Sequence, residues 1–142
     1  MQLEAQWIVG FVDGEGCFHI SINPHKDMKL GFQVLPEFTV VQHERDVKVL
    51  YALKKYFGCG VVRVNRKDHT STRMAYRVRS QEHLLNIINP FFMKHSLKTQ
   101  KYVEFKKFRR VLLMMEKQMH LNEEGLVEIR NVVSQMNRLK DT

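Results

Sequence analysis

The first third of the chain changes from a helical to an alternating pattern of apolar residues. The run from Leu3 to Val12 is apolar almost all round, which predicts a helix that is buried on several sides. The segment from Asp13 to Gly16 contains two glycines and is expected to end this helix. Apolar and polar residues then alternate from Cys17 to Asn23 and from about Phe32 to Val41, which predicts two half-buried strands. Pro36 in the second run favours an edge position or a bulge.

The rest of the chain is predicted to contain two more strands and several helices. The patterns predict a helix from Asp46 to Phe57, strands from Val61 to Lys67 and from Arg73 to Ser80, a short helix from Glu82 to Ile88, and helices from Leu97 to Gln118 and from Glu123 to Leu139. Gly58 and Gly60 should stop the first of these helices, Asn89-Pro90 should stop the short one, and Asn122 should cap the last. The order αββαββα, with additional C-terminal helices, predicts an α+β fold in which helices cover one face of a four-stranded antiparallel or mixed sheet.

Length and composition agree with one domain over residues 1–142, a common size for a single hydrophobic core. No apolar stretch approaches the roughly 18 residues needed to span a bilayer, so no membrane partner is expected. The two cysteines, Cys17 and Cys59, are too few for a disulfide scaffold and are not part of a Cys-x-x-Cys pair. A reducing compartment is therefore the simpler expectation.

The charge of the chain narrows the class of partner. Lysine and arginine total 23 against 15 acidic residues, which gives a formal net charge of +8. Such an excess favours a polyanionic partner, and nucleic acid is the first candidate. A basic protein of the membrane surface would usually concentrate its charge on one amphipathic helix, whereas here it is spread over several segments. Excess charge for solubility is the alternative until the residues are placed.

The predicted strands bring much of this charge onto one face of the sheet. Between Val61 and Ser80 six residues are basic and one, Asp68, is acidic. On the face away from the helices, Arg, Asn and Gln would read base edges, while Lys and Arg would contact phosphates. A solvated outer face is the alternative, although it would mix the two signs of charge more evenly. The residues expected to bind nucleic acid are His19, Ser21, Asn23, Gln33, Leu35, Thr39, Arg63, Asn65, Lys67, Arg73, Arg77 and Arg79.

The segment Ile8-Val-Gly-Phe-Val-Asp-Gly-Glu-Gly16 resembles the LAGLIDADG motif of homing endonucleases. The resemblance covers all nine positions, with Gly10, Asp13 and Gly16 identical and Glu15 in place of the second aspartate. The order of elements and the basic sheet face agree with that family, which implies a saddle-like sheet lying in the major groove of DNA. Because the chain has one motif, it resembles the single-motif members, which act as homodimers.

The glycines of the motif suit a helix that pairs with a copy of itself. Gly10 and Gly14 are four residues apart and share one helix face, so two helix backbones can approach closely there. The two copies of Glu15 would then lie near each other, and adjacent carboxylates repel unless they are protonated or bridged by cations. The residues expected at the dimer interface are Trp7, Gly10, Phe11, Asp13 and Gly14.

Paired carboxylates are a ligand set for Mg²⁺ or another divalent cation. A metal held in this way activates water and stabilises the leaving oxygen in phosphodiester cleavage. The resemblance implies that role for Glu15, with the backbone carbonyl of Gly14 as a further metal ligand and a structural role at the helix end for Asp13. The alternative is a buried helix whose carboxylates only cap and solubilise the turn. The apolar run before the motif and the basic sheet after it favour the catalytic interpretation.

Two further catalytic residues follow from the resemblance. Gln42 lies where single-motif enzymes place a polar side chain that orients active-site water. Lys98 lies where they place a lysine near the scissile phosphate, and an ammonium there suits the stabilisation of developing negative charge. The alternatives are a helix cap for Gln42 and an ordinary surface lysine for Lys98. Lys101 takes the catalytic position if the register of the resemblance is shifted.

The function that the resemblance implies is a site-specific, Mg²⁺-dependent endonuclease that cuts both strands of a long, near-palindromic DNA site. It would act as a homodimer and be encoded in an intron. One alternative is an RNA maturase of the same family, whose partner is intron RNA. The other is a catalytically inactive DNA-binding regulator. Encoding in a chloroplast or mitochondrion is expected, with the cytoplasm of a prokaryote as the other location.

Overall fold

The computed structural model describes the backbone of residues 1–140 and the side chains of residues 1–136. The predicted order of helices and strands is confirmed. The elements in chain order are α1 (Ala5–Glu15), β1 (Gly16–Pro24), β2 (Phe32–His43), a 3₁₀ turn (Glu44–Asp46), α2 (Val47–Phe57), β3 (Val61–Lys67), β4 (Thr72–Val78), α3 (Gln81–His83), a π-helical turn (Leu84–Ile88), α4 (Asn89–Lys94), α5 (Lys101–Glu116), a 3₁₀ turn (Met119–Leu121) and α6 (Glu123–Lys140).

The four strands form one sheet in the order β1-β2-β4-β3. All three pairs are antiparallel, so the α+β class is confirmed and the sheet is not mixed. β4 pairs only with the part of β2 from Phe38 to His43, and Pro36 therefore has a neighbouring strand on one side alone. A proline lacks the N–H that a second neighbour would need. The edge position predicted for Pro36 is thus confirmed locally, although β2 is an inner strand elsewhere.

The helices cover one face of the sheet around a largely aromatic core. Phe18 of β1 stacks on Phe38 of β2, with ring centroids 5.1 Å apart. Phe92, Phe105 and Phe108 of the helices surround Phe18 at 5.3 to 5.5 Å. All five rings are buried, and full burial of one such side chain stabilises the fold by roughly 1.5–3 kcal/mol. This core fixes which face of each strand is turned away from solvent.

Helix α1 ends inside the segment that the sequence predicts as its end. It runs from Ala5 to Glu15, so the predicted stop between Asp13 and Gly16 is confirmed. The chain leaves the helix at Gly16, where an added Cβ atom would lie 2.6 Å from Cγ1 and 2.9 Å from the carbonyl oxygen of Val12. A larger residue would therefore displace the turn into β1. The acidic residues of the motif lie on the last helical turn and not in a loop beyond it.

The helix expected to stop before Asn89-Pro90 continues through it. The turn Leu84–Ile88 is π-helical, and the N–H of Asn89 donates to the carbonyl oxygen of Leu84. Pro90 then lies in the first turn of α4. Proline is accommodated there because the first N–H groups of a helix have no intrahelical partner. The predicted stop was wrong because the wider π-helical turn starts a new helix at the proline.

The two C-terminal helices differ in how well their starts follow the prediction. α5 begins at Lys101, four residues later than the predicted Leu97. The predicted cap of α6 is confirmed, because Oδ1 of Asn122 accepts a hydrogen bond of 2.7 Å from the N–H of Gly125. Among the helices that the structure describes, none is both long and apolar enough to cross a membrane.

Candidate functional site

Asp13 joins the last turn of α1 to the segment that precedes α5. Its carboxylate accepts hydrogen bonds from the N–H of Lys98 at 2.9 and 3.1 Å and from the N–H of Thr99 at 3.0 Å. The hydroxyl of Thr99 donates a further bond of 2.7 Å. These N–H groups lie just before a helix start, where the backbone supplies unpaired donors. These hydrogen bonds confirm the predicted structural role of Asp13 at the end of α1.

These contacts determine the ionisation of Asp13. Desolvation raises the pKa of its carboxyl group. The hydrogen bonds from Lys98 and Thr99, together with the positive charge of Lys98, outweigh that effect and leave the pKa below its ordinary value of 3.8. Asp13 is therefore a fixed anion of the chain and not a proton donor at neutral pH.

Two lysines lie at the same junction. The ammonium of Lys101 donates to the carbonyl oxygen of Gly16 at 2.5 Å, and Oε2 of Glu104 lies 3.9 Å from the same nitrogen. The ammonium of Lys98 donates at 2.6 Å to the carbonyl oxygen of Ser96 and is exposed. Both candidate lysines thus lie beside the motif. Lys98 is fixed through its backbone with its charge at the surface, whereas Lys101 contacts the motif through its charge.

Glu15 has surroundings unlike those of Asp13. It is exposed, and its carboxylate has no hydrogen bond or ion pair within the described residues. The carbonyl of Gly14, in the last turn of α1, lacks the partner that a continuing helix would supply. Both groups are hard oxygen donors of the kind that Mg²⁺ binds. No group of three His, Cys, Asp or Glu side chains in the described part of the chain could hold a metal. The donors fit a divalent cation only when another molecule adds ligands.

Gln42 lies near the end of α1. It is the next-to-last residue of β2 and is in phase with Val40, which stands opposite Gly16. Such a diagonal neighbour lies roughly 7–8 Å away between Cα atoms. The capping role considered for Gln42 belongs instead to His43, whose Nδ1 accepts a hydrogen bond of 3.1 Å from the N–H of Arg45. The fold therefore brings Gln42 and both candidate lysines to the end of the helix that carries Glu15.

One face of α1 is open. Trp7 is 46% exposed and stacks on Phe11, with ring centroids 4.9 Å apart. At Gly10 and Gly14 an added Cβ atom would meet nothing within 4 Å among the described residues. Four of the five residues predicted at a dimer interface thus share an accessible stripe. Asp13 is the exception, because it is hydrogen-bonded to the segment before α5 of the same chain.

The outer face of the sheet, opposite the aromatic core, carries most of the residues predicted to bind nucleic acid. Residues that stand directly opposite each other on antiparallel strands project to the same side of the sheet. The register therefore aligns on the outer face His19, Ser21, Asn23, Gln33, Leu35, Thr39, Arg63, Arg73 and Arg77, with Arg79 next in phase. The expectation that one face of the sheet is basic is confirmed.

The tip of the β3-β4 hairpin departs from this pattern. The register shifts at Asn65, which is the extra residue of a bulge. Arg66 consequently stands opposite Arg73 on the outer face, while Lys67 stands opposite Thr72 on the other face. The placement of Lys67 on the outer face was wrong, because strict alternation does not survive an inserted residue. Asn65 itself still lines the outer face.

Like charges are crowded on the outer face. Arg63, Asn65, Arg77 and Arg79 line one concavity together with Glu37. Desolvation lowers the pKa of Arg77, the charges of Arg79 and Arg63 lower it further, and the charge of Glu37 raises it. Like charges close together on a sheet destabilise it. A surface that retains them is suited to a polyanion.

Three residues of the site escaped the sequence interpretation. Glu37 forms ion pairs with Arg77 and Arg79, and the alternation of residues along β2 does not show these partners. The position of Arg66 on the outer face follows from the bulge, which the sequence pattern does not show. Thr99 binds Asp13, which lies 86 positions away in the sequence, and no local pattern indicates that contact.

Comparison with known proteins identifies the family to which the chain is related. The sequence model of the LAGLIDADG endonucleases matches residues 8–112. The probable intron-encoded endonuclease Cox1-I1b of Schizosaccharomyces pombe is 34% identical over 111 residues, which cover 78% of this chain and 27% of that protein. The chain spans about a quarter of the length of the curated relatives it matches first.

Solved structures resemble the whole fold. The crystal structure of the homing endonuclease I-TnaI superposes with a TM-score of 0.91 and 53% identity, covering 96% of this chain and 90% of that chain. The LAGLIDADG homing endonuclease I-LtrWI, solved bound to target DNA, superposes with a TM-score of 0.88 and 32% identity, covering 94% of this chain and 44% of that chain.

Proposed function

The chain belongs to the LAGLIDADG endonuclease family, and from this premise we propose that it is a homing endonuclease that cuts double-stranded DNA as a homodimer with a divalent cation, Mg²⁺ first among them. The observation that carries the proposal is the last turn of α1. There Asp13 is saturated with hydrogen bonds, while Glu15 two residues later is exposed and unpaired within the described residues. The fold thus holds an open carboxylate in a fixed backbone.

DNA is the substrate because the outer face combines positive charge with groups that read bases. Arginines can bind guanine or phosphate, and asparagine and glutamine can bind adenine. The related I-LtrWI and I-SmaMI were solved bound to DNA, which supports the same partner for this chain. Each subunit would cover one half-site of about 10 base pairs, so that the full site is long and near-palindromic.

A second copy of the chain completes the site in this proposal. The open stripe of α1 offers Trp7 and Phe11 as apolar contacts, and Gly10 and Gly14 leave room for a close helix backbone. A two-fold axis along this stripe would bring the Glu15 of the partner next to the first. The pair would then supply the ligands that one subunit lacks.

The residues near the end of α1 have separate roles in the proposed cleavage reaction. Glu15 and the carbonyl of Gly14 would hold the divalent cation, which when bound lowers the pKa of water and neutralises charge on the phosphate. Gln42 would orient the attacking water by hydrogen bonding. Lys98, whose ammonium is exposed, would lie against the scissile phosphate and stabilise its developing charge. Lys101 holds the carbonyl of Gly16, next in the chain to Glu15.

Intron encoding belongs to the same proposal. The curated relatives are named as probable intron-encoded endonucleases, in Schizosaccharomyces pombe and Neurospora crassa among others. We extend that genetic setting to this chain and place its gene in an organelle intron. Copying of the intron into an intronless allele would follow from a double-strand break at the insertion site.

Cleavage of a randomised DNA library tests the activity. The library is incubated with the protein and Mg²⁺, and the cut ends are sequenced. Controls are EDTA, Glu15→Gln, and Glu4→Gln, which makes the same exchange at the exposed start of α1. Cuts at one long, near-palindromic site that vanish with EDTA and Glu15→Gln but persist with Glu4→Gln support the proposal. Absence of cutting together with tight binding of intron RNA would favour a maturase instead.

Sedimentation tests the dimer. Gly10→Leu adds a side chain into open space within the subunit, so the subunit should fold normally while the helix pair is blocked. The wild type should sediment at twice its mass of 16.9 kDa, and Gly10→Leu as a monomer. Lys48→Leu places the same side chain on the exposed surface of α2 and should remain dimeric. A wild type that is monomeric with and without DNA would contradict the dimer.

A further inference from the structure

A carboxylate lies among the arginines of the outer face. Oε1 of Glu37 is 3.6 Å from Nε of Arg77 and 3.5 Å from Nε of Arg79. The side chains of Glu37 and Arg77 are only 19% and 18% exposed, whereas that of Arg79 is 54% exposed. Glu37 and Arg77 are therefore held in place before any partner arrives.

A negative charge on this face opposes the binding of phosphates. It removes one unit from the positive field that attracts DNA, and it repels any phosphate that approaches. A residue that contributed only to affinity would not be acidic here. Glu37 can instead fix the orientation of the neighbouring guanidinium groups, because a carboxylate restrains the orientation of an arginine.

The atoms that Glu37 engages leave a defined edge free. A guanidinium can present either its Nε side edge or the terminal edge formed by the two Nη atoms. In both arginines the atom near Glu37 is Nε, so the terminal edge is available to a ligand. Two parallel N–H donors at that edge match the O6 and N7 acceptors of guanine in the major groove.

We propose that Glu37 is a specificity-determining residue that orients Arg77 to read one guanine in each half-site of the DNA. The inference rests on the proposed function, because it requires DNA along the outer face. Arg77 is the reader because it is the more enclosed of the two arginines, so that less side-chain freedom is lost when it binds. Arg79, which is more exposed, pairs with the same oxygen of Glu37, Oε1.

A binding selection tests this assignment. Wild type, Glu37→Gln and Arg77→Lys each select from a library of near-palindromic duplexes in EDTA, so that binding is read without cleavage. Glu116→Gln is the matched control, since it removes one exposed acid at the end of α5, away from the sheet. Circular dichroism melting of each variant shows that it is folded.

The wild type should prefer guanine at one position per half-site by about 5- to 150-fold, the range for a bidentate contact. Glu37→Gln should reduce that preference at least about 5-fold, leave other positions unchanged and bind scrambled DNA no more weakly. Arg77→Lys should lose the same preference at the same position because it keeps the charge without the two-pronged donor. Glu116→Gln should keep the full preference.

Other outcomes separate the inference from the function on which it rests. If the wild type selects no sequence, the proposed function fails and this inference fails with it. If the wild type selects a site and Glu37→Gln keeps every preference, only the inference fails. It also fails if Glu37→Gln and Arg77→Lys act at different positions, since Glu37 would then contact a base itself, or if Glu37→Gln weakens all positions equally.

Discussion

The last turn of α1 has two sides that carry the same kind of group in opposite surroundings. On the side that faces the start of α5, Asp13 accepts four hydrogen-bond contacts from Lys98 and Thr99. On the open side, Glu15 is exposed and has no partner in the described part of the chain. The difference shows that one carboxylate holds the turn and leaves the other free to act. Variants of the two residues should therefore separate stability from activity.

The largest expected effect is the loss of DNA cleavage when Glu15 is changed in the variant Glu15→Gln. We expect cleavage to fall at least about 100-fold because the proposed metal ligand is lost. The free energy of unfolding should stay within about 0.5 kcal/mol of the wild type, since the carboxylate makes no contact that folding depends on. Cleavage rates on the selected site and urea denaturation measure the two quantities. Full activity in this variant would remove Glu15 from the mechanism.

The variant Asp13→Asn should reduce stability more than it reduces cleavage. The amide cannot serve all the donors of Lys98 and Thr99, so the free energy of unfolding should fall by roughly 2–3 kcal/mol. Urea denaturation measures this change. Asp27→Asn makes the same exchange at an exposed loop residue and should change stability by less than about 0.5 kcal/mol. If Asp13→Asn is as stable as Asp27→Asn, the contrast between the two sides of the turn is wrong.

A smaller effect is expected from Lys101→Met, which tests how the backbone beside Glu15 is held in place. It removes the donor to the carbonyl oxygen of Gly16, which should reduce stability by about 1 kcal/mol. We expect cleavage to fall about 10-fold with DNA affinity unchanged, because the backbone next to Glu15 is less well held. Lys106→Met alters an exposed lysine of the same helix and should cleave normally. A parallel loss of DNA affinity would make Lys101 a binding residue instead of a positioning one.

The smallest expected effect is on the stability of the protein at acid pH. Because the pKa of Asp13 is lowered on folding, its contribution is fully present above the ordinary value of 3.8. It is lost as the pH falls below that value towards the lowered pKa, since the unfolded chain takes up the proton first. Asp13→Asn should flatten this part of the stability curve. Some slope should remain, because the hydrogen bonds donated by Thr70 and Ser71 lower the pKa of Asp68 as well.

Local patterns were enough to predict the order of elements and the face of the sheet that carries charge. Alternation identified β1, β2 and β4 because one hydrophobic core lies under one side of them. β3 was also predicted, although every residue of it except Val62 is exposed. The motif located Glu15 through the resemblance. The helix ends are less accurate, since the sequence predicts a stop at Asn89-Pro90, whereas the π-helical turn leads directly into α4 with Pro90 in its first turn.

The parts of the site that sequence could not predict depend on long-range contacts or on register. The bonds from Lys98 and Thr99 to Asp13 join positions 85 and 86 residues apart. The pairing of Glu37 with two arginines depends on how β2 aligns with β4. A pattern read along one strand contains neither relation.

The bulge at Asn65 makes recognition depend on the length of the chain as well as on the identity of its residues. β3 is an edge strand, so adding or removing one residue there disturbs only one neighbour. Loss of Asn65 would remove the bulge and restore strict alternation, with Arg66 still opposite Arg73 on the outer face and Lys67 still opposite Thr72 on the other face. A single-codon deletion could thus take an amide off the outer face without substituting or turning any basic residue. In the proposed endonuclease, target preference can therefore change by deletion at this hairpin while the end of α1 that carries Glu15 stays unchanged.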